Sequence, residues 1–434
     1  MTAGFPIDPL PHDPMPGCAL PGTPLADALP GINACVHCGF CLQACPTYLN
    51  LEDENDSPRG RIFLMRSLLE GTVKPDDPSV QQHIDQCLGC RACEPVCPSG
   101  VPYGQLLEAT RATLRESRPT PFIAQLILFV FARSWLLRPV MFFSRLLAST
   151  PIPTLFSGVK GRLGFAMAML ASTGRSIERG RYNPVSRGER GNVATLRGCV
   201  MDGLFNATNQ ATERVLKVNG YAIVRAPGQQ CCGALHAHAG DLETARKLAR
   251  RNIAAFEKSG AAFIAVNAAG CGAIMKEYGH LLEHDGEWHS RAIAVSSRVR
   301  DVSELLAAAG PRPGGALPIR VTYDAPCHLQ HAQRVTEAPL TVLAAIPGLE
   351  LVPLHDSDQC CGSAGIYNLI EPETSDAVLE PKLANIRNTR APWVATGNPG
   401  CLMQIGAGLI RADISARSIH PIDLLDASYA AFGQ

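Results

Sequence analysis

From residue 191 onward, short apolar runs alternate with amphipathic stretches, and the cycle occurs twice. In the first cycle "NVATLRGC" predicts a strand leading to Cys199, followed by a helix over 207–219 that Gly220 stops. The strand "YAIVRAP" leads to a loop holding Cys231-Cys232-Gly233. A helix over 241–259 is stopped by Gly260, and "AFIAVNAAGC" is a strand ending near Cys271. The second cycle keeps the order. "IRVTYDAPC" leads to Cys327, "LELVPL" to Cys360-Cys361-Gly362, a helix spans 373–389, and "WVATGNPGC" leads to Cys401. Strands alternating with helices at this period predict a duplicated α/β domain with parallel sheets, its copies at 191–315 and 316–434. Each cysteine follows a strand's C-terminal end, where open α/β sheets form ligand crevices.

Upstream the pattern changes. Residues 31–117 show little strand alternation, and "PRGRIFLMRSLLEG" (58–71) and "PYGQLLEATRATLRE" (102–116) predict short helices. Eight of the first 30 residues are proline, so 1–30 is expected to be an extended lead-in. Residues 118–190 are apolar but broken by Arg133, Arg138, Pro139 and Arg145. The longest uncharged run, 119–132, is shorter than the ~18 residues of a membrane-spanning helix. This window holds 11 Lys/Arg against two Asp/Glu. Two readings stand for it: a basic amphipathic stretch lying in a membrane interface, or a helical hairpin buried against another subunit. The fold class is α+β multidomain, a mostly helical cysteine-rich domain followed by the duplicated α/β domain.

Net formal charge is zero over 434 residues, which argues against nucleic acid as the main partner. The 17 cysteines call for disulfides or metal. The first Lys or Arg is Arg59, so neither a Sec nor a twin-arginine signal fits. The thiols are therefore expected to be cytoplasmic, reduced and open to metals.

Eight of them fall in two runs. "CVHCGFCLQACP" spaces Cys35, Cys38, Cys41 and Cys45 as C-x2-C-x2-C-x3-C-P, and "CLGCRACEPVCP" does the same for Cys87, Cys90, Cys93 and Cys97. This is the bacterial two-cluster ferredoxin spacing. A tight loop supplies three corners of a cubane, and the cysteine before proline ligates the other cube. One [4Fe–4S] cluster is assigned to Cys35, Cys38, Cys41 and Cys97, and the other to Cys87, Cys90, Cys93 and Cys45. Zinc would favour two C-x2-C knuckles instead. Such clusters accept and pass single electrons. Arg59 and Arg61 in "SPRGRI" are either donors tuning their potential or solvated surface arginines.

Each α/β copy adds four thiols: Cys199, Cys231, Cys232 and Cys271, then Cys327, Cys360, Cys361 and Cys401. Four gathered thiolates repel unless a cation or cluster sits among them, so a cofactor or redox site is expected, against a reading as inert buried cysteine. His236, His238, His328 and His331 lie nearby as candidate ligands or proton carriers. Cys18, in the lead-in, is given no role. No Ser–His–Asp, P-loop or G-x-G-x-x-G pattern stands out, so no catalytic residue and no flavin site is assigned to this chain.

The order of two ferredoxin runs, "SPRGRI", a basic apolar linker and two Cys…CCG…Cys modules resembles the iron–sulfur subunit of glycolate oxidase (glycolate dehydrogenase). "CVHCGFCLQACPTY", "DAPCHLQHAQ", "DQCCGSAGIYN" and "GNPGCLMQI" carry the resemblance. The iron–sulfur subunits of anaerobic glycerol-3-phosphate and D-lactate dehydrogenases, and heterodisulfide-reductase-type proteins, are the alternatives. The resemblance implies FAD-binding partner subunits that oxidise glycolate to glyoxylate, and electrons passing through this chain towards membrane quinone at the cytoplasmic face. It also implies that the two modules can carry a further cluster. One departure counts against a disulfide-cleaving cluster. Where heterodisulfide-reductase modules end in C-x2-C, this chain has Ala268 and Asn398 at the earlier position.

Overall fold

The computed structural model describes residues 17–433 except 119, 175–176, 178–181 and 187. Part of the expected lead-in, 1–16, lies outside the described residues. The remainder is not extended: Pro24–Asp27 and Leu29–Asn33 are short helices. Their prolines occupy first-turn positions, where the missing N–H costs nothing and the fixed φ suits a helix. Leu25 and Ile32 are fully buried against Met65, Leu68 and Leu106. Apolar burial therefore overrides the proline signal. Cys18 packs on the same core.

The two helices expected in the cysteine-rich domain form as Pro58–Glu70 and Tyr103–Arg115. The Ser57 hydroxyl caps the first by accepting from the Gly60 N–H, and Gly71 ends it at φ +73°.

The duplicated domain holds two four-stranded parallel sheets of identical order. The first contains β1 (Asn192–Thr195), β2 (Ala222–Val224), β3 (Phe263–Val266) and β4 (Val299–Asp301), ordered β2-β1-β3-β4. The second contains β5 (Arg320–Tyr323), β6 (Glu350–Val352), β7 (Trp393–Ala395) and β8 (Arg417–Ile419), ordered β6-β5-β7-β8. Hydrophobic alternation gave no sign of β4 and β8, which are three-residue edge strands. The long helices are Leu242–Ser259 and Pro372–Thr389.

The modules meet through the segments before Cys271 and Cys401. The Ala269 N–H donates to Gly397 O at 3.1 Å, Gly270 N–H to Asn398 Oδ1 at 3.3 Å, and the His420 ring to Asn267 O at 2.9 Å.

The basic apolar window forms helices Phe122–Phe131 and Ser134–Ala148, bent by 104° at their junction. No single described helix is long and apolar enough to cross a membrane. Ala124, Leu128 and Leu137 face inward, while Phe122, Phe129, Trp135, Phe142 and Phe143 are exposed. Arg145 ties the second helix to the first module by donating to Gly203 O.

Candidate iron–sulfur centres

The two ferredoxin runs share one backbone design. Left-handed residues fall at matching positions, His37 and Gly89 after the first cysteine, then Gly39 and Arg91 after the second. Successive residues of this kind turn backbone N–H groups inward and form concavities suited to anionic clusters. The Gly89 N–H already donates to Cys87 Sγ at 3.4 Å. His37 and Arg91 hold φ of +53° and +63° without being glycine. For residues with a side chain this is strain, of the sort that collects at functional sites.

The structure brings Cys35, Cys38, Cys41 and Cys97 to the wall of one cleft, although Cys97 belongs to the other run. Cys93 also borders it. Cys45 faces the second run: its charge, with that of Cys87, acts on both Cys90 and Cys93. Cys97 thus lies beside the first run and Cys45 beside the second. The first set is the more open, with Cys38 exposed beside exposed Val36 and Phe40. The second is enclosed, with Cys45, Cys87, Cys90 and Cys93 all buried.

Burial pushes the Cys41 thiol up to about 11 and lifts Cys90 and Cys93 well above the ordinary thiol range. Such thiols ionise at great cost alone, but a cluster bound among them would hold them as thiolates. Four sulfurs on one cleft at the first set, and four buried thiols with the Gly89 amide turned to sulfur at the second, fit a cubane at each.

The two candidate arginines part company. Arg59 is half-buried on the cleft of the first set, paired to Glu54 at 2.5 Å and donating to His37 O. Arg61 is fully buried. Its guanidinium donates to Thr47 Oγ1, to the Asp56 carboxylate at 3.0 Å and to His83 O at 2.6 Å. Burial opposes its charge, yet Cys87, Tyr103, Cys45 and Asp56 hold its pKa above the usual value. Sequence reasoning missed Tyr103, whose hydroxyl donates to Cys87 Sγ at 3.6 Å. A tyrosine at a helix start carries no signal of that role.

The module quartets also assemble. In the second, Cys361 Sγ lies 3.3 Å from Cys401 Sγ, and Cys327 and Cys360 are hydrogen-bonded neighbours. In the first, Cys199 bonds Cys231 and Cys232 bonds Cys271. Both glycines after the cysteine pair are left-handed, Gly233 at +95° and Gly362 at +82°. A Cβ at Gly362 would stand 2.5 Å from Ser375 O.

The four histidines differ in setting. His331 hydrogen-bonds the Asp358 carbonyl, and the half-buried His238 hydrogen-bonds Glu108. His236 binds Leu128 O in the linker helix. His328 is buried with its Nδ1 3.5 Å from Cys327 Sγ, and its ring is 5.1 Å from that of His238.

Known proteins place this arrangement. A family model described as 4Fe-4S dicluster domain matches residues 31–101, and one described as Cysteine-rich domain matches 193–276 and 321–406. The chain is 38% identical over 411 residues to the probable glycolate oxidase iron–sulfur subunit of Bacillus subtilis, covering 90% of this chain and 92% of that one. The chain belongs to the glycolate oxidase iron–sulfur subunit family. The family member of Escherichia coli is 37% identical over 385 residues, 85% of this chain and 88% of its own. Lactate utilization protein A of Geobacillus thermodenitrificans is 28% identical over 230 residues, 52% of this chain and 95% of that one. As in the family's name, this chain is one subunit of an oxidoreductase complex that carries iron–sulfur clusters.

Proposed function

We propose that this chain is the electron-carrying subunit of a flavin-dependent 2-hydroxyacid dehydrogenase that oxidises glycolate to glyoxylate, with FAD and substrate on partner subunits. The observation that carries the reading is the pair of four-cysteine runs, the first opening on a cleft with Cys38 exposed and Cys87, Cys90 and Cys93 of the second buried, in a chain similar to glycolate oxidase iron–sulfur subunits. Bound clusters supply one-electron transfer; the protein's residues hold them, exclude water from the second and leave the first reachable. Exposed Val36 and Phe40 beside Cys38 give an FAD-binding subunit an apolar place to dock.

The exit lies at a cleft lined by Cys87, Arg111, His238 and Tyr367, whose rim includes Pro121 and Ala124 at the start of the amphipathic helices. The basic balance of 118–190 and the exposed Trp135, Phe142 and Phe143 support a site at the inner face of the cell membrane, with a lipophilic quinone as acceptor.

The test uses the assembled complex. Cys38→Ser and Cys90→Ser should abolish glycolate-dependent quinone reduction while glycolate still bleaches the flavin. Retained quinone reduction in both would refute the reading. Phe142→Glu with Phe143→Glu should release the complex from anionic vesicles, and undiminished flotation would remove the membrane element.

A further inference from the structure

Between the ferredoxin domain, the linker and both modules lies a cavity of about 200 Å³. Cys87 and Leu88 of the second ferredoxin run form one wall, Leu235 and His238 of the first module another, and Ile366 and Tyr367 of the second module a third. Pro121, exposed at its edge, immediately precedes the amphipathic helix Phe122–Phe131.

These walls are locked to one another. A single guanidinium, that of Arg111, donates to Cys87 O at 2.6 Å and to His238 O at 2.9 Å. The Tyr367 hydroxyl donates at 2.9 Å to the carbonyl of Gln86, the residue before Cys87. The fold therefore fixes how far His238 stands from the segment that carries a ligand assigned to the second cluster. Ligand sites favour such domain junctions, where a few polar groups stand in apolar lining.

The lining selects a class of ligand. Its three arginines are all engaged: Arg111 with carbonyls, Arg115 with Asp241 at 3.2 Å and Arg118 with Asp85. None is left to clamp a carboxylate or phosphate. A cavity of roughly 150 Å³ takes up benzene, so this one has room for a single neutral ring bearing carbonyl oxygens. Such a ring lies against Cys87, within easy reach of the cluster's electrons.

His238 is placed for the proton. Its Nδ1 bonds Glu108 Oε1 at 2.9 Å, and Glu108 stands outside the lining. A carboxylate only accepts, so Nδ1 carries a hydrogen. Nε2, which has no hydrogen-bond partner among the described residues, is left to give or take a proton.

From these placements we infer that His238, oriented by Glu108, is the catalytic acid for a quinone ring bound in this cavity. Electrons arrive one at a time from the cluster beside Cys87. Two electrons and two protons turn the two carbonyls of the quinone into the hydroxyls of the quinol. One proton leaves His238 Nε2 and is restored from water at the half-buried His238–Glu108 pair. The other comes from water at the mouth. The inference deepens the function proposed above and rests on it.

The experiment follows glycolate-dependent reduction of a decyl-tailed benzoquinone by the assembled complex. His238→Gln should lower kcat about a hundredfold with little change in KM, the share a positioned general acid supplies. Glu108→Gln, which keeps an acceptor for the ring but no carboxylate, should lower kcat less. Ala239→Trp, on the cavity wall, should raise KM several-fold and leave kcat alone. Anaerobic EPR should show glycolate still reducing both ferredoxin clusters in all three, which also reports that the variants fold. Clusters that glycolate cannot reduce in the unaltered complex would overturn the proposed function. With the clusters reduced, an unchanged kcat in His238→Gln or an unchanged KM in Ala239→Trp overturns the inference. Should His238→Gln lose its clusters, Glu108→Gln carries the test, and a full kcat there has the same consequence.

Discussion

Arg61 Nη2 stands 3.0 Å from the Asp56 carboxylate, and both side chains are almost wholly shut from water. The His83 ring reaches the same carboxylate at 3.1 Å. Removing the guanidinium leaves Asp56 as a buried charge lacking its main counter-ion. Arg61→Met should cost about 3–5 kcal/mol of stability, read as a lower denaturant midpoint under anaerobic conditions. It should also make the second ferredoxin cluster harder to reduce, because a cation beside Cys45 and Cys87 favours the added electron. A potential unmoved in a folded variant would assign Arg61 to stability alone.

The crossed ligand sets make a prediction that neighbouring sequence would not. Cys97→Ser should remove the same EPR signal as Cys38→Ser, and Cys45→Ser the same signal as Cys90→Ser. If Cys97→Ser instead matched Cys90→Ser, each run would hold its own cluster.

Gly362 can be compared with its counterpart in the other module. Both positions are left-handed, but a Cβ at Gly362 meets Ser375 O at 2.5 Å, whereas at Gly233 the nearest atom is 3.3 Å away. Gly362→Ala should destabilise the chain by about 1–3 kcal/mol from backbone strain alone, with the clash added. Gly233→Ala should show the smaller drop in Tm. Equal drops would mean Ser375 moves aside freely.

His420 sets a pH dependence at the module junction. Burial drives its pKa down to about 4, while its ring donates to Asn267 O and accepts from the Ile422 N–H. The folded state therefore prefers the neutral ring, and the unfolded chain, near 6.5, takes up the proton first. Stability should fall as pH drops from about 6.5 to 4, by up to about 3 kcal/mol. His420→Gln should flatten that slope in urea midpoints measured across the window.

The sequence revealed most where chemistry imposes spacing. The ferredoxin runs and the duplicated cysteine sets were legible because a cubane or a crevice fixes which residues recur and how far apart. The long helices at 242–259 and 372–389 were legible from their period, the first also from its stop at Gly260. What escaped was set by tertiary contact. Leu25 and Ile32 turn a proline-rich segment into packed helices, and β4 and β8 are too short to show alternation. The parting of Arg59 from Arg61 depends on which face of one helical turn meets the core.

The exposure of Cys38 bears on how the complex must be made. A cluster held there meets dissolved oxygen directly in the isolated chain, while the second set is screened by its own core. If the proposed flavin subunit docks on Val36 and Phe40, its arrival also seals the vulnerable end of the wire. Biogenesis that inserts iron before the flavin subunit arrives would leave the least durable intermediate of the pathway in the cell.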